Sequence, residues 1–475
     1  MNMFRAYHTT YYRRSVGLVF TAVTLTVMIC FVALSVDVGY TLSVKAQLQR
    51  TADAAAMAAA GRLTNGEGSL EEEVSELAKT YSEMNKAGGL AIQLEESDIV
   101  LGRAVFDENG KCVFEANEQP YDSVRVTARL TSGSPNGPLG LFFGGALGAS
   151  TADVAASATA TLIPRDIAVV IDLSNSMSYD SQLRHESTDI NIREVWQDLG
   201  SPQFGNMQVF HNSASEMTTY SSNLTTNTII NNLGLNNVAY PYSGGTWSQY
   251  VSFVKGHSVS AYKNRYGLRT FVDFLLEKNH LKSQTPALAQ CRVQPMHAVK
   301  QAVEELCNYL TLLNSGDLIS LHTYTEIARQ DCELTSDYTQ IIQATYDQQA
   351  GGYGTFTNIG DGINNAVAEL TSSRARPTAK KVIFILTDGN ANRPTSETVG
   401  RQHALAMAED AASLGIQIFT VTLGTTANQD LMRNIAATGK GTHYHIPTFS
   451  IEQYEEDLKT IFRTLGGKRP IRLIE

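Results

Sequence analysis

The chain has 475 residues, more than one hydrophobic core comfortably takes, so two or three structural units are expected. With 43% hydrophobic and 18% charged residues it has the composition of a globular protein, which excludes global disorder. A net charge of −10 and a pI near 5.5 exclude general nucleic-acid binding, which needs a basic face.

The first element is an uncharged apolar run from Ser15 to Val36, preceded by Arg5, Arg13 and Arg14. It matches the ~20 residues that cross ~30 Å of hydrocarbon as a helix. The arginine flank predicts a cytoplasmic N-terminus with the rest of the chain exported. The competing reading is a signal peptide cleaved near Ala33–Ser35, but the run is long for a signal core and continues into a second helical stretch. In that stretch Ala54, Ala55, Ala56, Ala58, Ala59 and Ala60 combine high helix propensity with little side-chain volume. Such a face allows close approach of another helix and therefore self-association; the other reading is a strong helix on a modest interface.

The residues "RRSVGLVF" through "VDVGYTLSVKAQLQRTADAAAMAAAGRL" resemble the N-terminal module of TadG-like proteins of the tight-adherence (Tad, Flp pilus) machinery. The resemblance implies a single-pass protein of the bacterial inner membrane, its main domain periplasmic or extracellular. Processed pilins carry a glutamate five residues into the apolar segment; none follows Gly17 here, which favours a stable anchor. Residues 1–62 are read as cytoplasmic tail, transmembrane helix and Ala-rich helix.

Residues 63–164 read as a charged helix over Ser69–Asn85 followed by a small β-rich stalk domain. Its strands are "AIQLEESDIVLGRAVF", "KCVFEAN", "DSVRVTARL" and "ADVAASATATLIP", with a hairpin turn at Asp107–Gly110. A Gly/Pro-broken loop carries the pair Phe142 and Phe143.

From Arg165 the pattern changes. "DIAVVID", "DLISLHTY", "KVIFILT" and "IQIFTVTL" are short apolar runs rich in β-branched residues. Between and after them lie amphipathic helices, one through Met296, Val299, Val303, Leu306, Leu310 and Leu313, another through Ile451, Tyr454, Leu458, Ile461 and Leu465. The predicted fold is α/β, a doubly wound and mostly parallel sheet over 165–467 with ligands at the carboxyl ends of its strands. Residues 468–475 read as a C-terminal tail.

At those strand ends stand Asp172, Ser174 and Ser176 in "DLSNS", Asp388 in "TDGN", and Thr357 before a helix start. Each alone has an ordinary alternative, a helix cap or a turn. Together they form an oxygen-only donor set, suited to Mg²⁺ with Mn²⁺ as the alternative. The set resembles the metal-ion-dependent adhesion site of von Willebrand factor A (vWA) domains. That resemblance implies that Ser174, Ser176 and Thr357 contact the metal, while Asp172 and Asp388 act largely through water. It also implies a protein partner that completes the coordination with an Asp or Glu. Asn175 stands where the family often has glycine and is expected to face away from the ion.

A polar insertion, 179–294, departs from the metal-site loop. Folded structure is expected in it, with a helix at "YGLRTFVDFLLEK", because structureless loops of that length are uncommon in compact domains. The expectation is that it rims the ion and selects the partner without being needed for ion binding. His443 and His445 share a strand face, but zinc needs a third ligand, so a terminal strand is the preferred reading. Cys112, Cys291, Cys307 and Cys332 match no zinc spacing and leave disulfide pairing open. The chain lacks G-x-S-x-G, H-E-x-x-H, Walker and D-x-D phosphatase motifs, so a binding protein of pilus assembly or surface adhesion is expected, not an enzyme. The alternatives are a metal-dependent hydrolase at the same site and a vWA subunit of an unrelated envelope assembly.

Overall fold

The computed structural model describes residues 11–63, 70–106, 112–119, 121–184, 190–208, 210, 217–313, 315–447 and 450–474. Two compact units result, one formed by Met1–Leu162 with Pro470–Glu475, the other by Ile163–Arg469. The expected turn at Asp107–Gly110 and the flanking Arg5 lie outside the described residues.

In the first unit one helix runs from Tyr11 to Arg62. Its first part exposes apolar side chains along its length, among them Leu18, Phe20, Leu25, Met28 and Phe31. Its second part buries Val44, Leu48, Ala52, Ala55, Ala56, Ala59 and Ala60, a stripe at helical spacing. This stripe packs on a five-stranded antiparallel sheet in the order Ile471–Ile474, Val154–Leu162, Ser123–Leu130, Ile99–Phe106, Cys112–Ala116. The opposing surface is also of small residues, Ala128, Ala156, Ala158 and Ala160, which lets helix and sheet approach closely. Of the alanines expected to serve self-association, Ala55, Ala56, Ala59 and Ala60 are therefore covered by the chain's own sheet, while Ala54 and Ala58 are half-buried. Helix and stalk, separated at residue 62 in the sequence reading, share one core. The expected C-terminal tail also differs: Ile471–Ile474 pairs antiparallel with Val154–Leu162, Ile471 opposite Leu162.

The second unit contains a mixed six-stranded sheet in the order Ala328–Thr335, Leu318–Tyr324, Arg165–Asp172, Lys380–Thr387, Gln417–Leu423, His443–Ile446. Only the Ala328–Thr335 strand is antiparallel to its neighbour. The Arg165–Asp172 strand is buried at every position, so it has no polar face to alternate. Ile167, Val169 and Ile171 join the core of helices Met296–Leu312 and Ile451–Gly467, while Ala168 and Val170 join that of Ile359–Leu370 and Glu397–Ser413. Successive strand side chains point to opposite faces, so helices cover both.

The insertion is folded, and "YGLRTFVDFLLEK" supplies the helix Leu268–Lys278. Its aromatic residues interlock: Trp247 lies 5.3 Å and Tyr250 5.4 Å from Phe271 between ring centroids. Leu183, Val251, Phe271 and Leu275 belong to the same apolar cluster as Ile167 and Val169. The insertion is thus part of the core under the sheet, contrary to the expectation of a separable rim.

A buried ion pair closes the second unit at the amino end of its central strand. The Arg165 guanidinium meets Asp317 Oδ2 at 2.6 Å and donates to the carbonyls of Leu465 and Gly466, each at 2.8 Å. Asp317 Oδ1 accepts the Arg165 backbone N–H at 2.7 Å. Removing one member leaves the other charge buried and unpaired. Arg165→Ala should therefore cost ~3–5 kcal/mol, read as a lowered urea midpoint, and Arg165→Met with Asp317→Leu should recover much of it.

Candidate functional site

The buried strand ending at Asp172 delivers its carboxylate to the sheet edge with no water access, and the carboxylate is held from both sides. Oδ1 accepts the Ser174 backbone N–H at 2.8 Å and Oδ2 accepts the Thr387 hydroxyl at 2.6 Å. The chain then turns through the 3₁₀ segment Asn175–Ser181. Ser174 stands at its start but makes no side-chain cap, so the ordinary explanation of that serine fails. Its Oγ lies instead 2.8 Å from Ser176 Oγ, which donates to Asp388 Oδ1 at 2.6 Å.

Thr357 arrives from another direction. Asn358, not Thr357, caps the helix Ile359–Leu370, accepting the Asp361 N–H at 3.3 Å. Asn358 is itself anchored to the carbonyls of Thr325 at 2.9 Å and Glu326 at 2.8 Å. Asn392 Oδ1 accepts the Thr357 N–H at 2.9 Å and its own N–H donates to the Thr357 carbonyl at 3.0 Å. A methyl added at Gly389 would lie 3.4 Å from Thr357 Oγ1 and 3.7 Å from Ser176 Oγ. Both hydroxyls therefore border Gly389. The five residues picked out in the sequence, Asp172, Ser174, Ser176, Thr357 and Asp388, meet at one edge.

Their electrostatics are unbalanced. Burial pushes the Asp172 carboxyl up to about 6, against the hydrogen bonds from Thr387 and Ser174 that favour its charge. Burial raises Asp388 well above the usual carboxylate range, and the Asp172 charge raises it further. Asp180, near the start of the insertion, adds a third acidic charge to Asp388 and is itself raised by burial. Two buried carboxylates beside three hydroxyls suit a small hard cation, and the donors are all oxygen. The donor set fits a divalent ion on that ground.

Asn175 borders Gly351: a methyl at Gly351 would lie 2.8 Å from its Oδ1 and 2.6 Å from His280 Nδ1. This is where the insertion reaches the site. His280 Nδ1 donates to the Gly351 carbonyl at 2.8 Å, and the Lys282 N–H donates to that of Gly352 at 2.8 Å. The Gly351 N–H in turn donates to the Leu173 carbonyl at 2.8 Å. The insertion thus braces the loop between Asp172 and Thr357. Thr387, Asn392, Asp180 and His280 were not singled out from sequence; Thr387 directly precedes Asp388, but the others carry no motif.

Two further clusters do not extend the site. His443 and His445 lie on an edge strand, their rings bonded to Thr420 at 2.9 Å and Thr422 at 3.0 Å. His257, Asp273 and Glu277 converge inside the insertion. However, His257 Nδ1 accepts the Val259 N–H at 3.1 Å, which leaves the ring proton on Nε2, directed at Asp273 Oδ2 at 2.9 Å. A metal ligand needs that nitrogen bare. All five cysteines are free thiols.

Comparison with known proteins follows this division. A von Willebrand factor type A domain model matches residues 289–463. A Flp pilus-assembly TadE/G-like model matches 15–62 and a Tad-like Flp pilus-assembly model matches 58–160. The vWA match begins at residue 289, within the last part of the insertion, so Asp172, Ser174 and Ser176 lie upstream of it. No curated protein matches the chain. Among solved structures, BatB from Bacteroides thetaiotaomicron is similar at 13% identity over 64% of this chain and 99% of its own, with TM-score 0.31. A mutant PilB minor pilin from Streptococcus sanguinis is similar at 11% identity over 79% and 87%, with TM-score 0.35. Proximal thread matrix protein 1 of the mussel byssus, with a zinc-occupied MIDAS motif, gives 13% identity over 66% and 97%, with TM-score 0.31.

Thr387 orients Asp172 through the 2.6 Å hydrogen bond to its Oδ2. Groups that orient a metal-ligating carboxylate typically change metal affinity ~10–100-fold, so if this edge holds a divalent ion, Thr387→Val should weaken its binding by about that factor in titration calorimetry. Circular dichroism should remain that of the parent.

Proposed function

We propose that this chain, which joins a Tad/Flp pilus-assembly N-terminal region to a von Willebrand factor A domain, is a single-pass envelope protein that binds a protein partner through a divalent cation. The N-terminal apolar helix and the Tad-type matches support the membrane anchor; we place it in the bacterial inner membrane with the vWA unit exported. We read the second unit as the doubly wound vWA fold.

The observation that carries the binding role is the hydrogen-bonded row Ser174–Ser176–Asp388 beside the buried carboxylate of Asp172, with Thr357 facing the same glycine. Ser174, Ser176 and Thr357 would hold Mg²⁺, or Mn²⁺, through neutral hydroxyls, with Asp172 and Asp388 supplying the charge. An ion held this way stays electrophilic and attracts an outside carboxylate. Arg393 supports an acidic partner: it stacks 3.2 Å over the Phe356 ring and adjoins the Thr357–Asn392 pair. Both serines would be committed as ligands of the ion, which makes them poor nucleophiles, so we read the role as binding.

Titration calorimetry should show Mg²⁺ binding to the parent protein and none to Asp172→Ala. Unchanged affinity in that variant would contradict the assignment. Capture of a partner from envelope extract should need Mg²⁺ and be lost with chelator and with Asp172→Ala alike. Because the insertion braces the Leu173–Gly351 contact, replacing 180–290 with a Gly/Ser linker should abolish Mg²⁺ binding as well as partner capture.

A further inference from the structure

The first unit holds a second apolar feature next to its exposed helix. From Leu139 to Gly148 the chain reads "LGLFFGGALG", with no charged residue. Phe142 is 67% and Phe143 47% exposed, although the turn that carries them is well fixed. Leu139–Gly140 pairs with Thr151–Ala152, the Leu141 N–H donates to the Ser150 carbonyl at 3.0 Å, and the Ala149 N–H donates to that of Gly144 at 2.9 Å. Two adjacent phenylalanines held exposed on a fixed, uncharged turn form a contiguous apolar patch, the kind of surface that marks a contact.

The turn is tied to one residue, Asp37. Its Oδ1 accepts the Phe142 N–H at 2.9 Å, and its Oδ2 accepts the Phe143 N–H at 3.0 Å. The Phe142 ring also lies 4.7 Å from that of Tyr40, three residues further along the helix. Asp37 is the first charged residue after the Ser15–Val36 run, which as a helix spans ~33 Å and so covers the ~30 Å hydrocarbon core. Its carboxylate is nonetheless only 5% exposed, its charge met by backbone N–H groups. Apolar exposure continues past it on the helix, at Val38 and Leu42. The aromatic pair therefore stands beside the point where the helix leaves the hydrocarbon.

We propose that Phe142 and Phe143 are a second membrane contact, inserted into the boundary between lipid headgroups and acyl chains and held at that depth by Asp37. The occupant of the exposed aromatic surface is the lipid itself, continuous with the lipid around the span. Aromatic side chains favour this layer, and an apolar turn without charges can enter it at little cost. Asp37 has a positioning role: a carboxylate at this depth is costly unless satisfied, and the two N–H donors of the turn satisfy it. The proposal rests on the single-pass reading above, and its test separates the two.

The full chain is reconstituted in phosphatidylcholine/phosphatidylglycerol vesicles with and without lipids brominated at defined acyl positions. Tryptophan is introduced singly as Leu25→Trp, Phe142→Trp and Phe143→Trp, and the signal of the parent, which has Trp196 and Trp247, is subtracted. Phe142→Trp and Phe143→Trp should emit blue-shifted and be quenched most by bromine near the headgroup, Leu25→Trp most by bromine near the chain ends. Adding Asp37→Ala to Phe142→Trp should remove its quenching and leave that of Leu25→Trp intact. Quenching of Leu25→Trp alone would overturn the second contact and leave the span standing; quenching of none would overturn both. Blue-shifted but unquenched emission that depends on protein-to-lipid ratio would assign the surface to a second copy of the chain and overturn the lipid contact.

Discussion

Two carboxylates share one buried sheet edge, and the second unit is arranged around that cost. Asp172 sits at the end of a strand with no exposed position, and Asp388 at the end of the adjacent strand. Their mutual repulsion and lost hydration are met by hydroxyls and N–H groups: Thr387 and Ser174 on Asp172, Ser176 on Asp388. Such groups orient a carboxylate without neutralising it. The remaining charge would be met by a cation, and the neutrality of the other donors would leave that cation able to take a ligand from outside.

The insertion changes how this edge is supported. In a plain α/β unit the strand-end loops stand on their own helices. Here the segment around His280–Lys282, at the end of the Leu268–Lys278 helix, holds Gly351 and Gly352, and Gly351 holds Leu173. The loop bearing the serines and the loop leading to Thr357 are therefore fixed through a third party. Because the insertion also shares the core beneath the sheet, disturbance of its aromatic cluster is carried to the site through packed side chains and three hydrogen bonds. The chain has a physical route by which an event on the insertion alters this edge.

What could be read from sequence was what has a short period or a fixed offset. The β-branched runs gave the parallel strands, the three-and-four spacing gave the helices at Met296–Leu312 and Ile451–Gly467, and D-x-S-x-S with Thr357 and Asp388 brought together residues that the fold does place at one edge. What could not be read depends on partners far along the chain. The strand Ile471–Ile474 is four residues long and pairs with a strand some three hundred residues earlier, so no local pattern marks it. The alanine stripe announced a close approach but not its target, since a sheet and a second helix ask the same small side chains. In the insertion, Phe204, Tyr240, Trp247 and Phe271 are spread over loops and separate helices, and only their convergence shows a core. Asn392 and His280 act through backbone groups of other residues, which leaves no trace in side-chain spacing.

Everything proposed for the second unit depends on the five-residue edge holding an ion. Anomalous scattering from crystals of the protein soaked in Mn²⁺ tests it directly, because the peak is located without reference to the surrounding chain. One strong peak is expected in contact with Ser174 Oγ, Ser176 Oγ and Thr357 Oγ1, between Asp172 and Asp388. A peak at His257, Asp273 and Glu277 with none at the sheet edge would contradict it.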